Sequence, residues 1–394
     1  MKIHSSARLI VLLTVIIFFS MISRIIFSPL VVTIQSEFGM SLAQAGSLFF
    51  IIYLAYSPAM LFSGYISARI RDKGCVVVAV ILNAAGLFIA ALSSSFGSLA
   101  AGLLLIGVGS GLYPSSGMTV LTGAVSPERR GFAIAVHEIG PNCALLAAPL
   151  TVLILYSRLG WRGILLILVC ANLAAALLFA RQNIGGNRYG KAPRFDLLKA
   201  VVKQKEAWFI LGLFTAAHSA LQGLYAVLPM YLVVTRGFEA DMVNKLLSIS
   251  RISGILLLPV SGTLADFFGA RRVILTVFLV SGIATIFIAF TSGFALVFAV
   301  IAQPALITAF YPAALIIITN LGPEESRNVT YSVIISIAVF VGGGVLPIFF
   351  GALGDLGVQS IGFYILAATL LICAFFVYRN RDFGAKAAIS RNLE

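Results

Sequence analysis

Two arginines stand where arginine is costly. Arg251 lies in LLSISRISGILLLPVSG, eleven residues before Gly262, and Arg24 lies in FFSMISRIIFSPL, sixteen residues after Arg8. If both segments are helical, a rise of ~1.5 Å per residue puts Arg251 about 16 Å from Gly262 and Arg24 about 24 Å from Arg8, in a hydrocarbon layer ~30 Å thick. A guanidinium cannot shed its proton to escape that setting. Placing it there costs roughly 2.5–3.5 kcal/mol even on a lenient scale, so each arginine is a functional candidate. Its planar fork of donors suits carboxylate, phosphate or sulfonate. The acids within apolar runs are too few to offset both charges: Glu138 is the one well inside, while Glu37, Asp241, Asp266 and Asp355 sit at ends. An anionic ligand would supply the missing charge. The structural alternative locks each arginine to a carbonyl or to Glu138, or lets it snorkel outward.

Other side chains fall into three groups. His137 and Glu138, in AIAVHEIGPN, pair a group that titrates near neutrality with a carboxyl that burial can raise, which fits proton coupling, a gate, or a static ion pair. His218 joins them as a coupling or gating candidate. Tyr53, Tyr113, Gln222 and Tyr311 are polar groups that could orient an anion in a partly wet cavity, or hydrogen-bond between helices. Gln222 and Tyr225 are three apart and share a helix face. Tyr113 and Tyr311 each precede a proline, so both also fit a helix distortion. Asp266 with Arg271 and Arg272 reads as a conformational latch on the cytoplasmic face.

The elements that must position these residues are apolar. The 394-residue chain is 60% hydrophobic and 10% charged, where a soluble domain carries about 25% charge. Apolar runs fall near 8–36, 42–67, 75–95, 98–123, 131–157, 160–180, 207–234, 242–265, 272–291, 294–320, 329–353 and 358–378. In lipid such runs must be helices, because backbone groups find no other partners. The expected fold is therefore an all-α membrane protein with twelve transmembrane helices. The net charge of +13 does not mark a nucleic-acid binder, since the basic residues concentrate in alternate loops. Arg69, Arg71 and Lys73, then Arg129 and Arg130, the stretch from Arg181 to Glu206, Arg271 and Arg272, and finally Arg379 and Arg381 fall on one side. Arg158, Arg162, Arg236 and Lys245 are the exceptions. Both termini are expected in the cytoplasm. The first run resembles a signal peptide but continues past Arg24 without a small-residue cleavage site, so it reads as an uncleaved span. Cys75, Cys143, Cys170 and Cys373 show no CxxC spacing and read as packing residues.

The chain repeats itself. LYP at Leu112–Pro114 returns as FYP at Phe310–Pro312, and Gly64 returns as Gly262, both at an offset of 198 residues; Pro127-Glu128 returns as Pro323-Glu324 at 196. Tyr53 is the counterpart of Arg251 at the first offset. These landmarks divide the chain into two pseudo-symmetric six-helix bundles, 1–181 and 207–394, joined by a basic linker, 182–206. Repeats of this kind place a substrate site near the midplane.

The loop GTLADFFGARR, its degraded copy GYISARIRDKGC and the SPERRG turn resemble the major facilitator superfamily, and the resemblance covers essentially the whole length. In the copy, Ala68 stands where the acid belongs. The resemblance implies a rocker-switch transporter, with runs one, four, seven and ten lining a cavity. It also implies that run five faces run eight, so that Glu138 could reach Arg251 in one conformation. Many drug/proton antiporters of the family carry an arginine in run four, where LLLIGVGSG offers Leu103 instead, which weighs against drug efflux.

The expectation is a secondary transporter of a small organic anion, coupled to a proton or a counter-substrate. Its rivals are a proton-driven exporter of amphipathic compounds and a non-transporting membrane sensor or receptor. No Walker motif, HExxH or nucleophile elbow occurs, and GVGSG lacks the strand and the Lys-Ser/Thr ending of a nucleotide loop, so no enzyme, cofactor or metal site is expected. The expected partners are the anion, protons and the lipid bilayer, with no nucleic acid. A monomer in the inner (plasma) membrane is the expected setting.

Overall fold

Long apolar segments with no lipid-compatible alternative become helices, and most of the described residues are helical. The computed structural model describes residues 2–182, 189, 203–318 and 324–380, and no strand occurs among them. Most of the basic linker, Pro323 with the four residues before it, and the tail beyond Asn380 lie outside the described residues. Nine stretches among the described residues are long and apolar enough to cross a membrane.

Two of the nine are too long for one crossing. Leu42–Ala91 has 50 residues, about 75 Å of helix, against ~30 Å of hydrocarbon. It breaks at Arg71 (φ 65°, ψ 163°), giving α2 (42–70) and α3 (72–91). Arg130–Ala180 likewise breaks at Gly160 (φ 61°, ψ 178°), giving α5 (130–159) and α6 (161–180). α1 is Ala7–Glu37 and α4 is Phe96–Gly123. The remaining helices are α7 (Lys205–Thr235), α8 (Ala240–Phe268), α9 (Ala270–Phe290), α10 (Gly293–Leu315), α11 (Thr330–Asp355) and α12 (Gln359–Arg379).

The α2–α3 gap read from hydropathy, 68–74, is largely helical. The turn is a single residue, and its polar neighbours keep helical hydrogen bonding. Arg71 lies 198 residues before Gly269, which makes the α8–α9 turn with φ 83° and ψ 141°. Glycine adopts that backbone freely, whereas arginine is strained in it.

The chain divides into two compact units, Met1–Met40 with Ser47–Pro193, and Ser41–Gly46 with Arg194–Glu394. In the first, Leu13, Ile16, Val76, Ala79, Leu112, Tyr113, Ala133 and Phe179 form a buried cluster drawn from α1 and α3–α6. In the second, Phe214, Ala217, Ile274, Phe278, Phe310, Ala338 and Leu370 do the same.

Two of the four exceptions to the charge pattern have structural work. Arg162 pairs with Glu37 at 2.5 Å and donates to the Ser93 carbonyl at 2.8 Å, while Trp161 donates to the other Glu37 oxygen. Arg236 stacks on Tyr231 and donates to the Thr291 carbonyl at the end of α9.

Candidate functional site

In the first unit, α1 is held on two sides around Arg24. Ser110 donates to the Ser20 carbonyl at 3.2 Å, and Asn83 to the Ser20 hydroxyl at 3.4 Å. Asn172 of α6 reaches the Ser23 hydroxyl at 3.2 Å. Just beyond Arg24 the helix is interrupted at Ile26. Pro29 has no N–H to give the Ile25 carbonyl, which accounts for the interruption.

The other wall is α2, placed by glycines of α4. A Cβ on Gly107 or Gly111 would collide with the carbonyl oxygen of Ile52 or Tyr56. Only hydrogen lets the two helices come this close. That contact presents Tyr53 and Tyr56, three apart, on one face of α2. The Arg24 guanidinium carbon lies 4.6 Å from the Tyr56 ring centre and 5.7 Å from that of Tyr53. One terminal nitrogen contacts the Met21 thioether at 2.9 Å, a weak acceptor. Its Nε and other terminal nitrogen are buried without a hydrogen-bond partner among the described residues.

The second unit builds a similar arrangement by different means. α7 contains a π turn at Ser219–Gly223, whose extra residue releases a backbone carbonyl. The buried Gln303 side chain of α10 donates to that carbonyl, at Ala220, at 3.0 Å. The turn re-aims the residues that follow it. Tyr225 thereby lies beneath Arg251, with the guanidinium carbon 4.6 Å from the ring centre. Arg251 is 5% exposed, and its Nε and one terminal nitrogen have no partner among the described residues. Tyr311 is near enough to act electrostatically on Arg251. It also meets His218 edge-on at 5.2 Å, and His218 Nδ1 bonds the Phe214 carbonyl at 3.0 Å.

Stacking on a ring occupies the face of a guanidinium and leaves its in-plane N–H groups available. Neither arginine has a carboxylate partner among the described residues. A buried cation with unmet donors is costly until an anion fills them. The unmet N–H groups of both arginines are of the kind that a planar oxyanion accepts from.

The remaining expected residues sort clearly. Tyr53 is brought to Arg24, and Tyr311 and His218 to the Arg251 neighbourhood. Gln222 lies within the π turn, half-buried. Tyr113 is fully buried in a different cluster: its hydroxyl donates to the Leu13 carbonyl at 3.0 Å and lies 2.8 Å from His137 Nε2. His137 Nδ1 lies 3.3 Å from a Glu138 carboxylate oxygen. Arg271 donates to the carbonyls of Val377, Tyr378 and Asn380, closing the end of α12, while Asp266 and Arg272 are exposed. Of the rings nearest the two arginines, Tyr56 was not among the expected residues, while Tyr225 was expected on the face of Gln222 without being carried forward as a ligand. Their spacing was the available signal: each falls three residues after an expected one, Tyr53 or Gln222.

The Major Facilitator Superfamily model matches residues 13–252 and 239–392. The chain belongs to the Major Facilitator Superfamily. As a superfamily member it is a multi-pass membrane protein whose family and fold are those of transporters. It is 25% identical to a nitrite extrusion protein of Bacillus subtilis over 55% of this chain and 54% of that one. It is 22% identical to the inner membrane transport protein YnfM of Escherichia coli over 63% and 60%. The chain thus spans between half and three fifths of the length of these relatives. Among solved structures, a bacterial homolog of the human lysosomal transporter Spinster, inward-facing and occupied, aligns with a TM-score of 0.77 at 17% identity, covering 97% of this chain and 98% of that one. A POT family transporter in complex with a thioalcohol conjugated peptide aligns at 0.78 with 14% identity, covering 96% of each.

Proposed function

We propose that this superfamily member is a secondary active transporter of a small organic anion, carrying at least one carboxylate, by alternating access across twelve helices. The observation that carries the proposal is the pair of arginines, Arg251 buried and Arg24 half-buried, each over a tyrosine ring and each with two buried nitrogens lacking a partner among the described residues. Arg24 and Arg251 each engage the anion during the cycle, one from each half of the repeat. Tyr56, Tyr53 and Tyr225 hold the guanidinium planes; Tyr311 and Gln222 adjust the fit. Binding neutralises charges that otherwise resist closing a dry site, so it favours the occluded state. The name of the Bacillus subtilis relative, a nitrite extrusion protein, is consistent with a small oxyanion. The protein sits in a bacterial inner membrane with both termini cytoplasmic, as its loop charges favour.

Counterflow tests this reading. Proteoliposomes preloaded with one of a panel of unlabelled mono- and dicarboxylates should take up the matching labelled anion, and Arg24→Ala and Arg251→Ala should each abolish uptake. Equal uptake by both variants would overturn the anion assignment.

A further inference from the structure

We propose that the groove between α1 and α6 in the first unit binds one anionic phospholipid, with the lipid phosphate on Arg8 and an acyl chain along the apolar walls. This site does not depend on what the protein transports.

The groove holds about 420 Å³, within the range of roughly 300–1,000 Å³ that small-molecule sites occupy. Arg8, Val11, Leu12 and Val15 form one wall. Their spacing puts all four on one face of α1. Leu178 and Gln182, four apart at the end of α6, form the other wall. The face of α1 runs about 10 Å from Arg8 to Val15. α1 starts where α6 finishes, so the two polar groups, Arg8 and Gln182, share one end of the groove. The side chains deeper in it are aliphatic. A ligand matched to this shape has a charged head and a hydrocarbon body. Val11 is 59% and Leu178 51% exposed, so the groove opens away from the packed core. In a membrane-spanning chain that side meets lipid, and a water-soluble anion would leave the apolar walls uncovered.

The charges at the polar end favour an anion. The last carbonyls of α6 would repel a phosphate. Lys73 of α3 donates to two of them, to Ala180 at 2.8 Å and to Gln182. Arg181 is exposed beside Gln182. α1 has no acid before Glu37 and α6 has none. Asp72, next to Lys73, is buried at 2% exposure. Basic pockets between helices on such a face suit anionic headgroups. The second unit repeats the cap: Arg271 donates to the carbonyls of Tyr378 and Asn380, each 198 residues after its counterpart. At that offset, however, Arg8 becomes Glu206, Val11 becomes Phe209 and Leu178 becomes Phe376. An acid replaces the cation and rings replace the small side chains, so the lipid site belongs to the first unit and not to the cap.

Native mass spectrometry of the detergent-solubilised full-length protein tests this. The protein is offered equal amounts of phosphatidylglycerol and phosphatidylcholine with the same acyl chains. Wild type should retain phosphatidylglycerol in preference. Arg8→Gln should weaken its binding about fivefold, the worth of one basic residue toward anionic lipid, and erase the preference. Val15→Trp keeps every charge but fills the apolar wall, so it should also lose phosphatidylglycerol. Arg379→Gln, an exposed arginine at the end of α12, should behave as wild type. Glycerol phosphate, a headgroup without chains, should not displace the lipid. Melting temperatures in detergent confirm that the variants are folded. Equal retention of the two lipids by wild type would overturn the site. So would a preference that survives Arg8→Gln, full retention by Val15→Trp, or an equal loss in Arg379→Gln. Displacement by glycerol phosphate would overturn the lipid assignment in favour of a free anion.

Discussion

The Arg251 guanidinium carbon rests 4.6 Å from the centre of the Tyr225 ring, and the tyrosine comes from the helix that carries the π turn. The ring supports the charge through its face and leaves the edge donors to a ligand. A phenyl ring would serve nearly as well, and no ring would not. Tyr225→Phe is expected to bind the anion within about threefold of wild type. Tyr225→Ala is expected to lose about 1–2 kcal/mol, roughly 5- to 30-fold in affinity. Titration calorimetry with a panel carboxylate separates the two.

Arg24 makes the same argument through geometry. Arg24→Lys keeps the charge but gives up the planar fork. A loss of at least tenfold in affinity, about 1.4 kcal/mol, is expected. Lysine binding as well as arginine would mean that charge alone is read.

The α2–α4 contact sets where Tyr53 and Tyr56 stand. Gly111→Ala would drive a Cβ into the Tyr56 carbonyl. Overpacking of this kind costs about 1–3 kcal/mol, and the shift of α2 should weaken anion affinity as well. Gly123→Ala, on the same helix with nothing within 4 Å of the added carbon, is the control and should leave both unchanged. Thermal melts and the binding assay check this together.

Arg71 occupies a backbone conformation that its repeat counterpart Gly269 adopts without strain. Arg71→Gly should relieve about 1–3 kcal/mol of strain against about 0.5–1 kcal/mol of added chain entropy and the loss of an exposed stack on Tyr189. A net gain of about 1 kcal/mol and a higher melting temperature are expected. A lower melting temperature would show that the stack outweighs the strain.

Hydropathy made the helices legible, because lipid leaves apolar segments no other form. Arg24 and Arg251 were legible for the same reason: a charge in an apolar run stands out. Their partners were less so. Tyr225 was legible only as a neighbour of Gln222 on one helix face; that it lies beneath Arg251 follows from the π turn at Ser219–Gly223, which periodicity does not reveal. Tyr56 depends on how closely α4 approaches α2, which the glycine stripe permits without fixing the register. The tyrosine at 113 shares its spacing and its following proline with that at 311, yet one is sealed against Leu13 and His137 and the other is half-buried beside His218. Pattern cannot see a backbone carbonyl acceptor. The break between the second and third helices was legible as the gap 68–74, and the structure turns inside it at Arg71; which residue carries the turn was not, because it is not a glycine.

The most direct test of the central claim is a thermal-shift screen of the purified protein against the carboxylate panel, repeated with Arg251→Ala and Arg24→Ala. A ligand present at 100 times its dissociation constant stabilises the native state by about 2.7 kcal/mol. Stabilisation of wild type by one class of carboxylate, absent from both variants, is the predicted result. Stabilisation that persists in both variants, or a response to hydrophobic cations and to no anion, would contradict the account and leave the two arginines as structural groups.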